Sequence, residues 1–186
     1  PSIAKGSNGN LYMGIQDVSD SFTIKCSAAS NCAQAANWVE AGINPFDLAT
    51  DWLILMPLVG GDIMAIRWDI SADDIQSKIY NNTTDVWDAA WTAIDLNAAP
   101  NTTYDAAFGT TLDKNTGDIY LAYAADASTL GADDDIRVAK YSDGAWASKA
   151  DVLTNDIKGI TGVKISLDEN SKDIYVMYSA RTTPGT

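Results

Sequence analysis

The sequence predicts an all-β chain built from a repeated four-stranded antiparallel unit, and three observations carry that prediction. First, TLDKNTGDIYLAYAA at 111–125 returns as SLDENSKDIYVMYSA at 166–180, identical at eight of fifteen positions. Second, the apolar runs are strand-sized and punctuated by Gly, Asn, Asp and Ser, with no window holding a 3.6-residue period. Third, the chain carries 25 acids, of which only Glu40 and Glu169 are Glu. Asp in such excess suits turns, where its short side chain bonds the nearby backbone.

Searching from the repeated pair for weaker copies gives the units in order. One domain spanning 1–186 is expected, with complete units at about 1–42, 43–98 and 99–156 and a half unit at 157–186. In the first, Gly9–Ile15 and Phe22–Cys26 read as strands, followed by a tryptophan-led strand at Asn37-Trp38-Val39. In the second, Asp51–Met56 takes the slot of Gly9–Ile15, followed by Ile63–Trp68 and Val86-Trp87-Asp88. In the third come Gly117–Leu121, Ile136–Tyr141 and Ala145-Trp146-Ala147. A short strand of small residues, such as Tyr104–Phe108 or Ile160–Ile165, ends a unit before the next copy. The extra length is read as loops at Asp69–Lys78, Leu96–Asn101 and Asp126–Asp135.

The inner strands Leu53–Leu58 and Ile174–Tyr178 are apolar on both faces, as in sheets covered on both sides. Four-stranded antiparallel sheets stacked radially make a β-propeller, here of about three and a half blades. The last blade stops after its second strand, leaving an unpaired edge and an uncovered face. The expectation is a piece of a larger propeller. Self-association of a second copy through the open blade edges, or pairing of the two termini, are the alternatives.

The formal charge of −13 repels phosphates, so nucleic acid and anionic membranes are not expected partners. No stretch is long enough for a transmembrane helix, since the run Trp52–Val59 is strand-sized and contains Pro57. Pro1-Ser2-Ile3-Ala4 has neither the basic nor the apolar part of a signal peptide, and a start without Met suggests a mature or trimmed chain. The absence of His removes the Ser-His-Asp arrangement and the usual zinc ligands. Cys26 and Cys32 frame five residues of a hairpin loop, which favours a disulfide over two quiet thiols. A bridge points to an oxidising compartment: extracellular, cell-surface or periplasmic. The sequons Asn82-Thr83-Thr84 and Asn101-Thr102-Thr103 matter only in a eukaryotic secretory pathway.

Several groups offer chemistry. Asp113, Asn115 and Asp118 place oxygens at near-alternating positions, as calcium loops do, although no bidentate acid follows and Lys172 replaces the glycine in the second copy. A turn with Asx hydrogen bonds explains both copies, so the expected cofactor is none, or calcium at the first copy. Asp73-Asp74 and Asp133-Asp134-Asp135 sit at corresponding places and read as solvated charges. Trp38, Trp87 and Trp146 recur at one position and read as packing between blades, whereas Trp52, Trp68 and Trp91 do not repeat. Trp68 and Trp91, with Arg67, are the candidate ligand-binding residues, a sugar face stacking on indole. Arg67 aligns with Lys25 and Lys140, while Arg137 sits three residues before Lys140 and points to the opposite face.

The hairpin Asp113-Lys114-Asn115-Thr116-Gly117-Asp118-Ile119-Tyr120 and the turn Tyr141-Ser142-Asp143-Gly144-Ala145-Trp146 resemble the repeats of bacterial sialidase-like and BNR-type β-propellers. The resemblance covers most of the chain. A full Asp-box reads Ser-x-Asp-x-Gly-x-Thr-Trp, and Ser142-Asp143-Gly144-Ala145-Trp146 has neither that spacing nor the Thr. For a sialidase the resemblance implies three arginines gripping a carboxylate and a Tyr nucleophile served by a Glu. Arg67, Arg137 and Arg181 do not fall at equivalent positions, and Glu40 and Glu169 lie on an outer strand and in a turn. The expected function is therefore a non-catalytic extracellular module binding a glycan or a protein. A fragment of a glycan-active enzyme, sialidase-like or another glycoside hydrolase, is the first alternative. A structural subunit of an extracellular assembly is the second.

Overall fold

A computed structural model describes residues 2–16, 21–42, 52–69, 74–96, 107–126, 134–147, 150–157 and 160–180. The first sheet runs β1 (Ser2–Lys5), β2 (Leu11–Gln16), β3 (Ser21–Cys26) and β4 (Trp38–Glu40) in chain order, with a 3-10 turn at Ala35–Asn37. The second runs β5 (Trp52–Pro57), β6 (Ile63–Asp69), β7 (Asp74–Asn81) and β8 (Val86–Trp87), and β9 (Thr92–Asp95) also pairs with β7. The third repeats that plan with β10 (Phe108–Leu112), β11 (Ile119–Asp126), β12 (Asp134–Ser142) and β13 (Ala145–Trp146), while β14 (Ala150–Ile157) also pairs with β12. The fourth holds β15 (Ile160–Leu167) and β16 (Ile174–Ala180). The protein is thus all-β, with four antiparallel sheets among the described residues. Among the described residues no helix is long and apolar enough to cross a membrane.

Contacts gather in two compact units, Pro1–Ser71 with Ile75–Ala93, and Ala72–Asp74 with Ile94–Thr186. The first holds the first sheet and most of the second, and the other unit holds the third and fourth.

Two element readings are corrected. Most of the segment Asp69–Lys78 is strand: Asp69 ends β6 and Asp74–Lys78 belong to β7, while 70–73 fall outside the described residues. Its polar residues hid it, because Ser77 and Lys78 are buried inside the sheet region and break the apolar pattern. The phase of the unit also shifts by one strand. The small-residue strand opens the third and fourth sheets, since β10 pairs with β11 and β15 with β16. Trp52–Pro57 is consequently a first strand and Ile63–Asp69 a second one, so Arg67 is not the counterpart of Lys25 and Lys140, which lie on third strands. Likewise Asp126, Asp134 and Asp135 lie in strands β11 and β12, although Asp74 and Asp134 do both open third strands. Tyr104-Asp105-Ala106, Asp73, Asp133 and Arg181 fall outside the described residues.

The repeated stretch is the hairpin between first and second strands. At 113–118 the Asp113 N–H donates to the Asp118 carbonyl at 2.9 Å and the Gly117 N–H to the Asp113 carbonyl at 2.7 Å. At 168–173 the Asp168 N–H donates to the Asp173 carbonyl at 2.9 Å and the Lys172 N–H to the Asp168 carbonyl at 2.8 Å. Each leading Asp also accepts from the backbone two residues on, Asn115 at 2.9 Å and Asn170 at 2.8 Å, as an Asx turn does. Gly117 and Lys172 occupy the same place with φ of 83° and 63°, a region only glycine enters without strain.

In the first unit the core is Ala4, Tyr12, Ala41, Leu55, Ile63, Ala65 and Tyr80, with Leu53, Trp87 and Trp91 packed against it. The recurring tryptophans pair with the ends of the third strands: Trp38 with Cys26, Trp87 with Tyr80, Trp146 with Tyr141. Trp87 Nε1 donates to the Ala41 carbonyl at 2.7 Å, tying the second sheet to the first. In the other unit β10 lies close on β15: a Cβ at Gly109 would sit 3.1 Å from the Val163 carbonyl oxygen.

Candidate ligand-binding sites

Alternation along β6 sends Arg67 and Trp68 to opposite faces, and the two fare differently. Trp68 is 3% exposed, so its ring is core and offers no sugar platform on the surface. Arg67 is held by its neighbours: Nε and Nη2 donate to Gln76 Oε1 at 3.1 and 2.8 Å, and Nη2 pairs with Asp69 at 3.1 Å. Its guanidinium lies 4.2 Å from the centroid of the Trp91 ring, and Lys78 Nζ lies 5.4 Å from the same ring. Trp91 is half-buried. The sequence-predicted pair Arg67 and Trp91 is thus brought together, and Trp68 is not part of it. The fixed fork of Arg67 beside an indole joins a donor set for oxygen atoms to an apolar face.

A second polar cluster was not visible in the sequence. Asp95, with a side chain wholly buried, accepts from Tyr123 Oη at 2.8 Å and from Arg137 Nη1 at 2.9 Å. Arg137 Nε pairs with Asp151 at 2.7 Å. Burial alone would lower the Arg137 pKa, but its bonds to Asp151 and Asp95 outweigh this and raise it. Burial and the bond to Asp95 drive the Tyr123 phenol far up, so it stays neutral. The residues come from β9, β11, β12 and β14, and no spacing in the chain announces their meeting.

Asp113 and Asp118 each face a lysine ammonium, and Asn115 faces a carboxylate. Lys172 Nζ donates to both Asp113 oxygens at 2.9 Å, and Lys140 Nζ pairs with Asp118 at 2.7 Å. Lys172 above all holds the Asp113 pKa down, and Lys140 with Ser142 does the same for Asp118. Asn115 donates to Glu169 Oε2 at 3.2 Å. Among the described residues no three Cys, Asp or Glu side chains gather in a way that could hold a metal ion. Cys26 and Cys32 form a disulfide, the S–S distance being 2.03 Å.

No family model matches the chain, and no curated protein is significantly similar in sequence. A solved structure of a mutant NanB sialidase from Streptococcus pneumoniae is similar with a TM-score of 0.62 at 16% identity. The likeness covers 94% of this chain and 26% of that one, so the chain spans about a quarter of the sialidase. A polysaccharide lyase is similar over 97% of this chain and 47% of its own, with a TM-score of 0.44 at 11% identity. At 16% identity the sialidase likeness is one of fold: this is a sialidase-like β-sheet arrangement.

Proposed function

We propose that the chain is a non-catalytic module of β-propeller type that binds a glycan on the half-buried ring of Trp91. The observation that supports this is the half-buried Trp91 ring with the Arg67 guanidinium 4.2 Å from its centroid. The CH face of a sugar packs on indole. Asp69 and Gln76 hold the buried Arg67 fork, and the fork packs on the Trp91 ring and orders it before any ligand arrives, which lowers the ordering cost of binding. The Cys26–Cys32 bridge agrees with an oxidising, extracellular setting.

The enzyme alternative finds its nearest chemistry in Tyr123, Asp95 and Arg137. Tyr123 and Asp95 are 0% and 2% exposed, which keeps a substrate from both. The test is a glycan array followed by titration of the best glycan against wild type and Trp91→Ala. Loss of roughly tenfold or more in affinity is expected, about 1.4 kcal/mol. Equal binding by the variant, or no glycan bound by the wild type, would sink the reading.

A further inference from the structure

The cations beside Trp91 are already engaged within the fold. Arg67 is 8% exposed and gives its guanidinium to Gln76 Oε1 at 2.8 Å and to Asp69 at 3.1 Å. Asp69 is itself buried, so the two charges cancel inside the sheet. Lys78 is 9% exposed, with its ammonium 5.4 Å from the centroid of the Trp91 ring. Gln76 and Lys78 alternate onto one face of β7, and Arg67 meets that face through Gln76. Both cations therefore lie on the covered side of the ring. A ligand on the open side meets indole, and neither the guanidinium nor the ammonium.

The chain around the ring adds acid and no base. No Lys or Arg stands between Lys78 and Lys114, whereas Asp85, Asp88, Asp95, Asp105 and Asp113 do. Asp85 is paired with Lys25, and Asp95 with Arg137. Asp88 is exposed, and its Oδ2 accepts from a backbone N–H, that of Ile79 at 3.2 Å, so its charge faces solvent. Asp88 lies three positions before Trp91, which holds their Cα atoms within roughly 11 Å. That is about the screening length at 0.1 M salt, and well inside the one at about 0.01 M. Ala89 and Ala90, between them, are exposed and uncharged.

We infer that the Trp91 site takes neutral glycans and turns acidic ones away, with Asp88 as the excluding charge. This selectivity rests on the glycan reading of Trp91 and names the substrate class of that site. A neutral pyranose stacks through its CH face and needs no counter-cation. A uronic or sialic acid brings a carboxylate to a surface of its own sign, and the formal −13 of the chain adds to the repulsion. At about 8 Å in water, one fixed acid weakens the binding of an anionic sugar roughly two- to threefold. Salt removes that penalty and leaves the stacking contact as it was.

The probes are two matched pairs of dye-labelled oligosaccharides: galactose against galacturonic acid oligomers, and lactosamine without and with a terminal sialic acid. Each is titrated with the whole chain by fluorescence anisotropy at about 0.01 M and about 0.15 M salt. The neutral member of a pair is expected to bind roughly fivefold tighter at low salt, and the gap to narrow as salt rises. Asp88→Asn keeps an oxygen for the Ile79 N–H. It is expected to raise the affinity for the acidic member about twofold and leave the neutral one unmoved. Trp91→Phe keeps an aromatic ring against the core, so it tests the platform should Trp91→Ala fail to fold. Tighter binding of the acidic member that either Trp91 variant weakens overturns the inference and leaves the glycan reading standing. Equal binding of both members at low salt overturns it too, as does acidic binding that Asp88→Asn leaves unmoved. No binding by any of the four, or binding indifferent to both Trp91 variants, overturns the glycan reading and this selectivity with it.

Discussion

Lys172 performs two tasks that the first copy of the hairpin divides. Gly117 meets the backbone requirement at φ 83° with no side chain, while Lys172 accepts φ 63° and sends its ammonium to Asp113 at 2.9 Å. Lys172 is the main cause of the lowered Asp113 pKa. A carboxyl whose pKa is lower folded than unfolded stabilises the fold above its unfolded value of about 4, and that contribution is lost as pH falls through the folded value. Lys172→Met keeps a side chain at the same φ and removes the ammonium, so Asp113 returns toward its ordinary range. The acid-unfolding midpoint, followed by circular dichroism, is expected to move to higher pH in the variant. An unmoved midpoint would mean that the pair is cosmetic. This pairing was half legible: the repeat and the Gly-to-Lys exchange stand in the sequence. The direction of Lys172, across to the other copy of the turn, depends on how two sheets stack.

At the scale of elements, the disulfide closes the connection between β3 and β4. Cys26 ends β3, is fully buried and faces Trp38 across the ladder, while the Cys32 carbonyl accepts from Trp38 Nε1 at 3.0 Å. With a sequence separation of 6 the closed loop is small, and in the chain-entropy account such a bridge contributes about 2 kcal/mol. Reduction by dithiothreitol is therefore expected to lower the melting temperature of the unit that holds it by about 10 °C. No change on verified reduction would place the stabilisation wholly in the Trp38 contacts. The repeated hairpin and the tryptophan-led strands were readable because turn chemistry and bulky repeats are local. β7 was not, because its inward Ser77 and Lys78 are polar, and the second-strand place of β6 was misread with it. Losing β7 also misaligned Arg67. The meeting of Arg67 with Trp91 follows from strand order and from the path after β8, neither of which has a local signal.

For the whole molecule, the question is whether its charges act mainly in pairs or as one field. The chain carries 25 acids against 12 bases, a formal −13 with a sequence pI near 4.1. Pairs such as Lys25–Asp85, Lys140–Asp118 and Lys172–Asp113 join cations to acids at 2.7 to 2.9 Å, but each has a partner open to solvent. Exposed pairs contribute about 0–1 kcal/mol apiece and weaken with salt. Acids outnumber bases by 13, and repulsion among so many like charges opposes every compact state. Raising ionic strength from about 0.01 M to 0.1 M shortens the screening length from roughly 30 Å to 10 Å. That distance spans neighbouring sheets, so the repulsion is screened before the contact pairs are. The melting temperature at pH 7 is accordingly expected to rise with added sodium chloride and then level off, as followed by circular dichroism. Potassium chloride should give the same curve, since the effect is screening and not binding. A melting temperature that falls with salt from the start would mean that the ion pairs, not the net charge, dominate the electrostatics of this fold.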